Sequence, residues 1–126
     1  MKRLSIAVAV TLLILIGTGL SIANKQNEGV GICITISPNT LVLDGQAGSV
    51  SVHSNLAISL VERSTVRLEG ITPYLTKADS LGHLVAKFRT DEVKAIVTPG
   101  QVTLTLTGRL KDGTSFAASD TITVRQ

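Results

Sequence analysis

Residues 101–124, QVTLTLTGRLKDGTSFAASDTITV, constrain the fold more than any other stretch of this chain. Val102, Leu104 and Leu106 alternate with Thr103, Thr105 and Thr107, so an extended backbone puts apolar side chains on one face and hydroxyls on the other. Asp112-Gly113 marks a turn, because glycine accepts positive φ without a Cβ penalty. Beyond it Ile122 and Val124, set between Thr121 and Thr123, recover the alternation. Two long strands are predicted to fold against each other, and the rest of the chain has to cover their apolar face.

The upstream sequence supplies strands of the same kind. In residues 32–36 the alternation Ile, Cys, Ile, Thr, Ile predicts a first strand that buries Ile32, Ile34 and Ile36 and exposes Cys33 and Thr35. Ser37-Pro38-Asn39-Thr40 interrupts it and residues 41–43 resume it, while residues 44–48, DGQAG, form the next turn. Val50 and Val52 are expected inward with Ser49, Ser51 and His53 outward, and the apolar run 56–61 leads toward the opposite sheet. Glu62-Arg63-Ser64 reads as polar punctuation before a strand over 65–71, and residues 74–78 as a short edge strand after Pro73. The turn 79–82, DSLG, delivers a strand over 83–88 with Leu84, Ala86 and Phe88 on one face and His83, Val85 and Lys87 on the other.

One helical turn is expected. Thr90 is a candidate N-cap with Asp91 and Glu92 in the first turn, and Val93, Ile96 and Val97 fall at helical spacing. About seven short strands at regular spacing and no long helix predict an all-β fold, an immunoglobulin-like antiparallel β-sandwich spanning residues 32–126.

At the N-terminus Lys2 and Arg3 precede the apolar run 4–16, and Ser21 and Ala23 occupy the −3 and −1 positions of a cleavage site. That order is the order of a secretory signal peptide, residues 1–23, with a mobile lead over 24–31. An uncleaved anchor is the rival reading, since about 20 apolar residues span a bilayer. Gly17, Thr18, Gly19 and Ser21 shorten the apolar core and favour the signal peptide. Membrane contact is therefore expected only through this segment during export, which leads to the periplasm, the cell surface or the outside of the cell.

The charge argument changes once those residues are set apart. Lys2 and Arg3 are two of the twelve basic side chains, leaving ten against nine acidic ones, a net of +1. No nucleic-acid partner is expected, because the basic residues are scattered singly and Tyr74, Phe88 and Phe116 are the only aromatics. The remaining length suits one domain, and a single cysteine excludes an internal disulfide.

Catalytic chemistry is sparse. His53 and His83 sit on outward strand phases, so a zinc or catalytic pairing would need them joined with an acid such as Asp79. No G-x-S-x-G elbow occurs, and the 79–82 loop offers one carboxylate where calcium recruits several oxygens. No cofactor, metal or catalytic set is expected, and the chain is read as a non-enzyme. Cys33 is either a small, partly covered side chain or an interface thiol.

A resemblance is carried by SPNTL at 37–41, VSVHSNL at 50–56, STVRLEGI at 64–71, KADSLGHLVAKF at 77–88 and the run 100–124. Together these resemble small exported bacterial β-sandwich modules, and most of all the geopilin domain 2 proteins, β-rich companions of short helical pilins. Where some modules of the wider group carry an acidic D-x-D-G-D loop, this chain has Asp79-Ser80-Leu81-Gly82, so no calcium site is implied. The resemblance implies a structural companion of a short pilin in filament assembly. An independent adhesin-like binding module at the surface or in the periplasm is the other class. In either case the expected interface is the apolar, uncharged first strand, Ile32, Cys33, Ile34, Thr35 and Ile36.

Overall fold

The computed structural model of the protein describes residues 31–45 and 48–126. The signal peptide predicted over 1–23, most of the predicted lead and two residues of the 44–48 turn lie outside the described residues. Cys33–Gln126 forms one compact unit. Its strands are β1 (Ile34–Ser37), β2 (Thr40–Val42), β3 (Ser49–Ala57), β4 (Val61–Leu68), β5 (Leu75–Ala78), β6 (His83–Arg89), β7 (Gly100–Leu110) and β8 (Ser115–Arg125). A 3₁₀ turn, Ile58–Leu60, joins β3 to β4, and one short helix, α1 (Thr90–Lys94), follows β6. Two four-stranded sheets result, ordered β1-β3-β6-β5 and β2-β8-β7-β4. This is the strand distribution of an immunoglobulin-like sandwich, with the first strand divided between the sheets.

The β7–β8 hairpin is the longest ladder, in register from Gly100 opposite Val124 to Arg109 opposite Ser115. Its loop has four residues rather than two. The Gly113 amide donates to the Leu110 carbonyl at 2.9 Å and the Leu110 amide to the Thr114 carbonyl at 2.7 Å. Gly113 alone takes positive φ, 93°, so glycine is needed there while Asp112 serves differently, its Oδ1 accepting from the Thr114 amide at 2.9 Å.

The inward faces follow the alternation. Leu104 and Leu106, Ile122 and Val124, and Val66 and Leu68 are buried in one sheet, facing Ile36, Val50, Val52, Leu84, Ala86 and Phe88 of the other. Val85, expected outward, is also buried. It lies on a central strand with His53 and Lys77 as cross-strand partners, and long side chains on both flanks displace water from the β-branched residue between them.

Three local expectations are corrected around the edges. Glu62-Arg63-Ser64 lies inside β4, not before it. Register passes from Glu62 opposite Arg109 to Arg67 opposite Thr107, so the four residues 63–66 oppose Gly108 alone in a large bulge. Thr65 fills the gap: its hydroxyl donates to the Glu62 carbonyl at 2.6 Å and accepts from the Arg109 amide at 2.9 Å. Gly108 is required there, because a Cβ would stand 2.7 Å from Cζ of Phe116.

The same strand ends at Leu68 instead of running to Ile71. Glu69 and Gly70, at φ 48° and 84°, make a two-residue turn closed by Leu68 and Ile71 in both directions, at 3.0 and 2.8 Å. Glu69 is held in this unusual backbone by bonds to Thr105, whose amide donates to Oε2 at 2.9 Å. In α1, Arg89 is the N-cap and Thr90 the first helical residue, buried, its amide donating to the Gly48 carbonyl at 3.2 Å. Because the helix ends at Lys94, helical phase does not reach Ile96, which is exposed while Val93 and Val97 are buried.

The N-terminal strand crosses the sandwich. β1 pairs with β3 antiparallel in one sheet, and after Pro38 the chain enters the other as β2, parallel to β8 with Thr40 opposite Thr123 and Val42 opposite Arg125. Residues 41–43 therefore do not resume the first strand, and the sandwich is not purely antiparallel. Proline has no amide for the ladder, and changing sheets there lets one short segment supply an edge strand to each.

Candidate functional site

The strand expected to form an interface lies at one edge of the β1-β3-β6-β5 sheet. Ile34 and Ile36 are buried, Cys33 and Thr35 exposed, and Ile32 half-buried ahead of the strand. The Cys33 amide donates to Asn55 Oδ1 at 2.9 Å and its carbonyl accepts from the Asn55 amide at 3.2 Å. Alternation along an antiparallel pair then turns the amides and carbonyls of Ile34 and Ile36 away from β3, toward the open side.

This edge is not bare, as the sequence suggested. The Ile36 amide donates to Asp120 Oδ2 of β8 at 2.9 Å, so a carboxylate from the second sheet occupies part of it. Asp120 lies opposite Leu104 on the inward phase of β8, an inward-pointing charge at a sandwich margin. The Ile34 end is where the edge stays open to a further strand, since among the described residues no strand pairs with β1 on that side.

The histidines lie on adjacent strands, His53 on β3 and His83 at the start of β6. Asp79 beside them closes the 79–82 turn: its Oδ1 accepts from the Leu81 amide at 2.8 Å and the His83 amide at 3.0 Å. Those amide bonds, that of His83 foremost, hold the carboxyl below its ordinary value of 3.8, with smaller help from the two histidines. The Asp79 carboxylate is thus used in shaping a turn. Among the described residues no group of three or more His, Cys, Asp or Glu side chains is placed to hold a metal ion.

A feature that single-sequence reading missed lies at the other edge of the same sheet. Arg63 and Arg67 of β4 converge with Pro73, Tyr74, Leu75 and Thr76 around a shallow groove of about 280 Å³. Arg63 ties the two sheets together, Nε donating to Thr76 Oγ1 at 3.0 Å and Nη2 to the Thr76 carbonyl at 3.1 Å. Arg67 donates through Nη1 to the Ser64 and Val66 carbonyls at 2.9 and 2.8 Å. The Arg89 guanidinium stands 5.2 Å from the centroid of the Tyr74 ring. These basic residues look scattered in sequence because the β4 bulge and the crossover to β5 bring them together. The exposed Tyr74 was the one available signal.

The outward face of the β7–β8 hairpin is a hydroxyl ladder. Thr103 and Thr121, and Thr105 and Ser119, are each joined at 2.8 Å, and Gln101 Nε2 donates to Thr123 Oγ1 at 3.0 Å. Each pair satisfies itself, which leaves a polar face along this part of the hairpin; toward the turn Thr107, Arg109, Ser115 and Ala117 line a shallow, open depression of about 470 Å³ with Thr65, Gly108 and Phe116. Among the described residues no helix is long and apolar enough to cross a membrane.

No protein-family model matches the chain, and no curated protein matches it. Among solved structures it is similar to the BIgI domain of beta protein from S. agalactiae bound to CEACAM1, at 18% identity and a TM-score of 0.35, covering 75% of this chain and 96% of that one. The assignment to an immunoglobulin-like sandwich rests on this chain's own strand order.

Proposed function

We propose that this protein is an exported, non-catalytic interaction module that receives a protein partner along β1. The observation that carries the reading is the edge itself: Ile34 directs its backbone groups out of the sheet while Cys33 and Thr35 present an uncharged, exposed flank. Small sandwiches recruit other chains by adding a strand to such an edge or by covering it. The finer reading is a companion of a short helical pilin in filament assembly, supported by the resemblance to geopilin domain 2 proteins. Export to the periplasm, cell surface or medium is supported by the sequence of residues 1–23.

Pull-down of a helical pilin by the native protein tests this. Cys33→Arg places a charge on the exposed flank and is expected to weaken capture, whereas His53→Ala and His83→Ala leave it unchanged and chelators have no effect. Ile34→Lys also weakens capture, read beside a melting control because Ile34 is buried. Full capture by Cys33→Arg, or loss of capture in EDTA, refutes the β1 reading and favours an independent binding module.

A further inference from the structure

We infer a second protein-binding surface, the groove between β4 and β5, which takes an extended protein segment carrying carboxylate side chains beside apolar ones. It lies at the opposite edge of the sheet from β1 and does not rest on the β1 reading.

Two arginines line the groove and a third, Arg89, stands against Tyr74, and among the described residues none of them is in an ion pair. Two are already oriented. Arg67 is fixed through Nη1 on two carbonyls of its own strand, so its Nε and Nη2, which take no acceptor among the described residues, form an open two-donor side. That side matches a carboxylate bidentately, the geometry in which guanidinium is strongest. Arg63 is held by Thr76 through Nε and Nη2, which leaves Nη1 as a further donor with no acceptor among the described residues. Orientation in the absence of ligand removes part of the ordering cost of binding.

Beside the charges the groove offers apolar area from two adjacent residues: Tyr74 is 48% exposed and Leu75 44%. Tyrosine and arginine together are the composition of energetically dominant interface positions. The groove runs beside edge strand β5, so a ligand following it is extended. Tyr74 is the single aromatic lining the groove and Arg89 covers one of its faces, so successive bases have no series of rings to stack on. Charge complementarity with apolar flanks therefore selects an acidic peptide segment of another protein.

The probe is a fluorescein-labelled peptide alternating Glu and Leu, with a Gln and Leu peptide of equal length as control, titrated into the native protein by anisotropy. Saturable binding to the Glu peptide alone is expected, weakening as salt is raised. Arg67→Ala and Tyr74→Ala each lower affinity about tenfold, Arg67→Lys falls between because it keeps charge without the fork, and His53→Ala binds as the native protein does. Urea melts confirm that each variant is folded, and if Arg67→Ala is not, Arg67→Lys and Tyr74→Ala decide. Equal binding of the Gln peptide, no saturable binding of the Glu peptide, native affinity in the folded groove variants, or preference for a uronic-acid oligosaccharide over the Glu peptide overturns the inference.

Discussion

Asp120→Ala isolates the contact that joins the two sheets at the β1 margin. Asp120 Oδ2 receives the amide of Ile36, a residue only 1% exposed, and Oδ1 receives the amide of Thr121, which is exposed. Truncation leaves the Thr121 amide to water but strands the Ile36 amide where water has poor access. A buried donor without an acceptor costs about 1–3 kcal/mol. In a domain of this size each kcal/mol lowers the melting temperature by roughly 4–8 °C, so a fall on the order of 5–20 °C is expected. Asp120→Asn keeps an oxygen in the same place and should cost less than about 1 kcal/mol. Urea denaturation of the three proteins with matched m-values is the assay, since a shifted midpoint at constant m reports stability alone. If Asp120→Ala melts with the native protein, or if Asp120→Asn is as damaging as Asp120→Ala, the bridge does not hold the margin closed.

The core gives a second test: Leu104→Ala and Ile122→Ala, both in the sandwich interior, should each cost about 2–5 kcal/mol, against less than about 1 for Thr105→Ala on the hydroxyl face. Equal losses in urea melts would contradict the strand phase. Acid titration gives a third. The amides of His83 and Leu81 depress the Asp79 carboxyl and that of Thr114 depresses Asp112, so the folded state binds these protons less readily than the unfolded chain. Their contribution is present above the ordinary value of 3.8 and is lost as pH falls through the lower folded values. Asp79→Asn, which keeps the turn's acceptor but cannot titrate, should therefore lose less stability between neutral and acid pH than the native protein. Identical acid profiles would remove Asp79 from the account.

Most of the sandwich was legible where one face of a strand is wet and the other dry. The hairpin, β3 and the inward set of β6 follow directly from alternation, and the turns at Gly82 and Gly113 from their residues. What escaped depends on neighbours in space. Val85 is buried by strands that come from elsewhere in the chain, and Glu69 occupies a glycine-like conformation because Thr105 holds it. The bulge of β4 reads as a polar break because its meaning lies in Gly108 and Phe116, more than forty positions away. The edge role of β1 was visible in its uncharged sequence, but its partial closure by Asp120 was not, since a lone aspartate among threonines reads as another solvated position. The arginine groove was invisible for the same reason: no spacing rule links Arg63 and Arg67 to Tyr74.

The parallel pairing of β2 with β8 has a mechanical consequence. β2 lies near the start of the sandwich and β8 ends it, with bonds from Leu43 to Arg125 at 2.8 Å and from Thr123 to Asn39 at 2.9 Å joining them. A pull that enters ahead of β1 and leaves through Arg125 draws these two strands along their lengths in opposite directions. The bonds then carry the load together in shear, rather than opening one after another as they would in a hairpin peeled from its end. A sandwich closed this way meets tension between its first and last strands along their lengths, with the buried Leu41 and Val124 on the two loaded strands.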